Sequence, residues 1–165
     1  MISKDFKRRR DFLLRKIEDN SIVFLFSGLE KSRNNDVNYK FRQSSNFFYL
    51  TGINNPSMLL VISKISGRHS ITLVCDRPND IDKIWHGQLP SKSFYKNEFE
   101  IQNVLYSDEL NSLEFYDAKN MYFEFADENR LNQFIKNLNL SQPQSRYLRN
   151  NTSRSTKIDL SNLIF

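Results

Sequence analysis

The chain is poor in the residues that build several common kinds of protein. One cysteine, Cys75, stands in 165 residues. It has no intramolecular partner, so a cross-linked secreted scaffold is excluded and a reducing, cytoplasmic setting is expected. Only two histidines occur, His69 and His86, and neither sits in a His-x-x-x-His or Cys-x-x-Cys spacing that would mark a metal site. With four glycines, the chain offers neither a phosphate-binding glycine loop nor a Gly-x-Ser-x-Gly nucleophile elbow. No apolar run approaches the roughly twenty residues of a membrane span, and Arg15, Lys16 and Glu18 interrupt the segment where a signal peptide needs apolar continuity.

What is present suits one domain with a substantial core, since 39% of the residues are hydrophobic. The net charge of +5 invites a nucleic-acid reading, yet its location argues against one. Lys4 to Glu18 carries +4 and Arg146 to Asp159 carries +3, so the basic charge sits at the two ends and the remainder is acidic. No nucleic acid and no membrane are expected as partners.

Hydrophobic spacing predicts an opening helix over Asp5 to Glu18, with Phe6, Leu13, Leu14 and Ile17 on one face. Ile22 to Phe26 reads as a strand covered on both faces. Met58 to Ile62 and Ile71 to Val74 form a hairpin about Ser66-Gly67-Arg68, where His69 faces solvent. Ser107 is placed to cap a helix beginning Asp108-Glu109, and Met121 to Phe125 reads as a strand. Asp127 introduces a helix with the stripe Leu131, Phe134, Ile135 and Leu138, and Ser141 to Ser155 reads as irregular. This alternation predicts an α/β fold, a mixed β-sheet flanked by helices. Cys75, following an apolar strand, reads as a buried structural thiol.

The densest pattern lies between Arg33 and Pro56. There Arg33, Asn34, Asp36, Arg42 and Gln43 alternate with Tyr39, Phe41, Phe47, Phe48 and Tyr49, and the run closes on Leu50-Thr51-Gly52. It resembles the N-terminal domain of Xaa-Pro aminopeptidases (aminopeptidase P), in the creatinase and prolidase group. There an Arg-Asn start leads through Tyr-x-Phe-Arg-Gln to Tyr-Leu-Thr-Gly. Ile84-Trp85-His86-Gly87 adds a second resemblance, to the Trp-x-Gly that follows a stretch with an arginine like Arg77. Thr156-Lys157-Ile158-Asp159-Leu160 is similar to the stretch before the family's interdomain linker.

The resemblance implies a creatinase N-terminal, ribonuclease H-like domain over residues 1–165, with the catalytic pita-bread domain absent from this chain. It implies a metal-dependent hydrolase as parent, releasing the N-terminal residue before proline, while this chain is inactive and holds no cofactor. Two manganese or similar divalent ions belong to the full-length enzyme, on carboxylates and a histidine of the other domain. The implied partners are that catalytic domain, further copies in a homo-oligomer and a peptide with proline second. In the fingerprint, Asn34, Phe41, Arg42, Gln43 and Gly52 are structural, with Arg42 expected to be partly buried and able to pair with Asp36. Arg33, Asp36 and Tyr39 are candidates for the interdomain cleft. Trp85 is either a lip or subunit contact at a neighbouring protomer's substrate pocket, or a packing residue. The chain is expected to be an excised domain. A free-standing protein-interaction module of the same fold, without peptidase activity, is the alternative.

Overall fold

The computed structural model describes residues 2–30, 32–34, 37–78, 90–113, 118–141 and 156–160. Helix α1 (Ile2–Lys16) opens the chain and strand β1 (Ser21–Phe26) follows, every residue of the strand buried. After β1 come the short strands β2 (Ser32–Asn34) and β3 (Val37–Asn38), then helix α2 (Ser45–Thr51). The hairpin β4 (Leu59–Ile65) and β5 (Arg68–Cys75) precedes helix α3 (Lys92–Phe99) and strand β6 (Asn103–Tyr106). A 3-10 turn over Ser107–Ser112, strand β7 (Asn120–Phe123), a second 3-10 turn (Phe125–Asp127), helix α4 (Glu128–Ser141) and strand β8 (Thr156–Asp159) follow among the described residues.

Six strands form one sheet in the order β6-β5-β4-β1-β7-β8. β4 runs antiparallel to β1 and β5, whereas β1 pairs parallel with β7, β7 with β8, and β5 with β6. The sheet is therefore mixed, as predicted, and β4 alone is reversed. β2 and β3 pair separately.

Alternation along the strands sends side chains to two cores. Val23, Leu25, Leu60, Ile62 and Leu73 pack with Leu13 of α1, Phe47 and Leu50 of α2 and Tyr95 of α3. Ile22, Phe24, Leu59, Val61, Met121 and Phe123 face Leu131 of α4, with Phe134 and Ile135 beside them. Among the described elements, α1, α2 and α3 thus cover one face and α4 the other. The continuous apolar run of β1 follows from this, because both of its faces are roofed.

The β4–β5 connection bears out the turn reading. Ser66 and Gly67 have φ of 49° and 75°, the two left-handed positions of a tight hairpin turn. Their amides are held by Asn20 Oδ1 at 3.2 Å and Asp19 Oδ1 at 3.0 Å. His69 is exposed, as expected.

Helix α1 buries Phe6, Leu13 and Leu14, with Ile17 just beyond it, and a charged residue shares that stripe. Arg10 is fully buried. Its Nη1 donates to Leu50 O at 2.8 Å, and its Nη2 to Phe99 O at 2.8 Å and Glu100 O at 3.0 Å. One guanidinium thereby joins α1 to the C-terminal ends of α2 and α3, where helical carbonyls lack intrahelical partners. Burial lowers its pKa against the opposing effect of Asp11 and Glu100. Lys64 serves the C-terminal end of α1 in the same manner, donating to Leu14 O at 3.0 Å and Ile17 O at 2.9 Å.

Two expectations are corrected. Asp108-Glu109 begins a 3-10 turn, and its cap is Tyr106, not Ser107: Glu109 Oε2 accepts from Tyr106 N at 2.9 Å. Glu109 itself has non-helical φ of −108°, so the turn cannot run on as an α-helix. The strand expected over Met121 to Phe125 ends at Phe123, where a 3-10 turn takes over. Residues 142–155, read as irregular, lie outside the described residues.

Candidate functional site

The segment that leads into the fingerprint begins where β1 ends, at Phe26. Ser27 is fully buried and links three elements: its Oγ accepts from Met58 N at 2.9 Å, its amide donates to Met58 O at 2.9 Å, and its carbonyl accepts from Ser44 N at 2.8 Å. The chain leaves the sheet at Gly28 and returns at Ser44, so the segment between is an excursion clamped at its base. Gly28 has φ of 106°, and a Cβ there would meet Arg42 O at 3.4 Å and the Phe41 ring at 3.5 Å. Both the backbone angle and the crossing chain account for glycine.

On the excursion, Arg33 and Tyr39 are exposed and near each other, the guanidinium 5.9 Å from the ring centroid. Asn34 lies in β2, opposite Val37 of β3. Asp36 lies outside the described residues, so its pairing with Arg42 is not part of the site described. Arg42 is exposed, which corrects the expectation that it is partly buried. Phe41 and Gln43 are half-buried. Among the described residues the buried arginine is Arg10, and the apolar neighbours of Arg42 in sequence do not enclose it.

The end of the fingerprint is fixed at both ends of α2. Ser44 Oγ accepts from Phe47 N at 3.4 Å as N-cap, and Gly52, with φ of 73°, closes the helix while its amide donates to Phe48 O at 2.8 Å. Asn46, buried on the first turn, donates from Nδ2 to Glu124 Oε1 at 2.6 Å, and Ser44 Oγ lies 3.4 Å from both Glu124 oxygens. Glu124 follows β7, so this carboxylate ties the fingerprint to the parallel half of the sheet. Sequence reasoning missed Glu124, since nothing local separates it from a surface glutamate.

A second polar cluster forms beyond β5. Arg77 donates to Asp108 at 2.9 and 3.1 Å and to Glu109 at 3.2 Å, and Lys92 pairs with Glu109. Both cations lie over the Tyr106 ring, at 4.4 and 4.3 Å from its centroid. The bond from Arg77 holds the Asp108 carboxyl below its ordinary range, and the bonds from Lys92 and Tyr106 N do so for Glu109. Folded pKa values lie below unfolded ones here. The contribution is therefore present above the unfolded carboxylate pKa and lost as pH falls through the folded values.

Between these clusters lies a cleft of about 400 Å³, lined among others by Phe26, Met58, Val74, Asp76, Arg130 and Phe134. Cys75 also borders it. The Cys75 thiol is buried, lies 3.8 Å from Leu105 O, and is pushed up to about 11 by burial, with Asp76 adding to the effect. Its folded pKa is raised, so this contribution to stability holds below the unfolded pKa and is lost as pH rises toward about 11. Cys75 should therefore resist a thiol-specific disulfide reagent at neutral pH and react fully in denaturant, because the thiolate is the nucleophile. Rapid stoichiometric labelling of the native chain would contradict this placement.

Trp85 and His86 lie outside the described residues. Among the described residues, no group of three or more His, Cys, Asp or Glu comes together as a metal cage. No described helix is long and apolar enough to cross a membrane.

Comparison with known proteins agrees with this geometry. Residues 6–120 match the family model described as aminopeptidase P, N-terminal domain. The Xaa-Pro aminopeptidase of Escherichia coli (strain K12) is 29% identical over 109 residues, which are 66% of this chain and 25% of that protein. The Xaa-Pro aminopeptidase of Haemophilus influenzae is 38% identical over 86 residues, 52% of this chain and 20% of the relative. The chain thus spans about a quarter or less of the curated relatives it matches. Among solved structures, aminopeptidase P from E. coli in its low pH form superposes with a TM-score of 0.81 at 23% identity, covering 98% of this chain and 38% of that one. Proline aminopeptidase P II from Yersinia pestis gives 0.79 at 22% identity, covering 99% and 38%. These likenesses show the fold, and the family match covers well over half of the sequence. The chain belongs to the aminopeptidase P N-terminal domain family.

Proposed function

We propose that this chain is the non-catalytic N-terminal domain of a metal-dependent Xaa-Pro aminopeptidase, serving assembly and substrate access beside a separate catalytic domain. The observation that carries the reading is the extent of the likeness: the whole fold is reproduced, yet it accounts for only 38% of a solved aminopeptidase P. The remaining chain in such a protein supplies the catalytic domain and its divalent ions, two manganese ions in this reading.

In this arrangement the domain contributes surface. The clamp at Ser27 and the cap at Ser44 fix both ends of the excursion, so its exposed Arg33 and Tyr39 are offered to the interdomain cleft, with Asp36 between them in sequence. Trp85 serves as the lip toward a neighbouring protomer's substrate pocket, with the enzyme acting as a cytoplasmic homo-oligomer. A contact of this kind positions a peptide without supplying its chemistry.

The test is a peptide-release assay on the 165-residue chain after dialysis against manganese, with metal analysis of the same sample. The reading expects no release of the first residue from a peptide with proline second, and no stoichiometric manganese. Turnover accompanied by retained metal would overturn it.

A further inference from the structure

The cleft beside β5 stands at a special place in the sheet. Phe26 ends β1, Val74 and Cys75 end β5, and Ser107 and Asp108 follow β6, so the opening lies outside the carboxyl ends of strands that run in one direction. The connection from β5 to β6 carries α3 on one face of the sheet, and that from β7 to β8 carries α4 on the other. Where outgoing connections part to opposite faces, an open α/β sheet leaves a crevice that suits a small ligand.

The lining has a definite chemical character. Phe26, Leu29, Met58, Leu59, Val74 and Phe134 give apolar walls. At the β5 side, Asp76 is exposed and makes no hydrogen bond or ion pair among the described residues, unlike Asp108, which Arg77 engages twice. At the α4 side, Arg130 donates through Nη1 to Asp127 Oδ1 at 3.2 Å and stacks 4.4 Å from the Phe26 ring centroid. That single bond leaves further guanidinium donors, since the group carries five N–H. An uncommitted carboxylate, an apolar floor and a guanidinium with spare donors therefore border one opening.

We infer that this cleft binds a small apolar zwitterion, a free apolar amino acid or a dipeptide. Asp76 receives the ammonium, Arg130 the carboxylate, and the apolar walls the side chains. The volume of about 400 Å³ lies within the range of small-ligand sites, and a few polar groups on an apolar lining are what fix a ligand's orientation. The inference is independent of the aminopeptidase reading, because it uses only groups of this domain and involves no bond cleavage.

Calorimetric titration of the chain with leucyl-leucine tests it, with three comparisons. N-acetyl-leucyl-leucine lacks the ammonium, leucyl-leucinamide lacks the carboxylate, and the Asp76→Asn and Arg130→Gln variants remove the receiving charges, their folding checked by circular dichroism. The dipeptide should bind saturably, and each of the four losses should weaken it by about tenfold, as expected for one charge-assisted contact. The blocked peptides carry the test even if a variant fails to fold. No saturable binding up to ~10 mM would overturn the inference, as would equal binding of the blocked peptides or of folded variants. If only the acetylated peptide and Asp76→Asn lose affinity, the site takes an amine and the zwitterion assignment is wrong.

Discussion

Arg10→Ala should lower the stability of this domain by about 3–5 kcal/mol, a loss typical of a broken buried polar network. The side chain is fully buried and its three bonds end on carbonyls of Leu50, Phe99 and Glu100, in two other elements. Truncation strands those acceptors in a dry site and leaves a cavity where the stem packed. Arg10→Met separates the two contributions, since it restores much of the stem but none of the donors. Denaturant midpoints should place Arg10→Met much closer to Arg10→Ala than to the unaltered chain. Arg10→Lys should recover only part of the loss, because one ammonium cannot reproduce a planar fork that reaches two helix ends. A stable Arg10→Met would show that the guanidinium is dispensable.

The second large effect is expected at Gly52. Its φ of 73° is strained for any residue with a Cβ, and that atom would lie 2.2 Å from Cε2 and 2.6 Å from Cζ of Phe6. Phe6 has limited room to yield, because its ring meets Phe48 edge-on at 6.2 Å and has Arg9 over it at 5.1 Å. Gly52→Ala should cost about 2–4 kcal/mol, combining backbone strain with overpacking. In a Phe6→Leu background the same change should cost only about 1–2 kcal/mol, the left-handed backbone contribution alone. Equal costs in both backgrounds would mean that the ring, as placed here, does not confine position 52.

These two residues show where sequence patterning succeeds and where it stops. The apolar stripe of α1 was legible from Phe6, Leu13, Leu14 and Ile17. Arg10 falls on the same stripe, and its spacing from Phe6 and Leu14 is the available signal, although its charge is the mark of a surface residue. Its acceptors lie about 40 and 90 positions away, on helix ends no local pattern reveals. Arg42 misled for the complementary reason: aromatic neighbours in sequence do not enclose a side chain that the excursion turns outward. The doubly covered β1 and the Gly67 turn were legible because each is a local property, continuous apolarity in one case and positive φ in the other. Helix α3 was not, since among its residues only Tyr95 is buried and one apolar position makes no stripe. Strand β6 has four residues, too few to establish alternation.

For the site, the fingerprint marked the right segment, but the clamp beneath it was hidden. Ser27, Asn46 and Glu124 look ordinary in sequence and acquire their roles through partners 31 and 78 positions apart.

The central claim is that this domain works as one part of a larger peptidase. Intact mass of the native polypeptide, captured from its own cells with an antibody raised against this chain, tests that claim most directly. The account expects a species well over twice 19.6 kDa, since the chain covers 38% of solved aminopeptidase P. A stable native species of 19.6 kDa would contradict it.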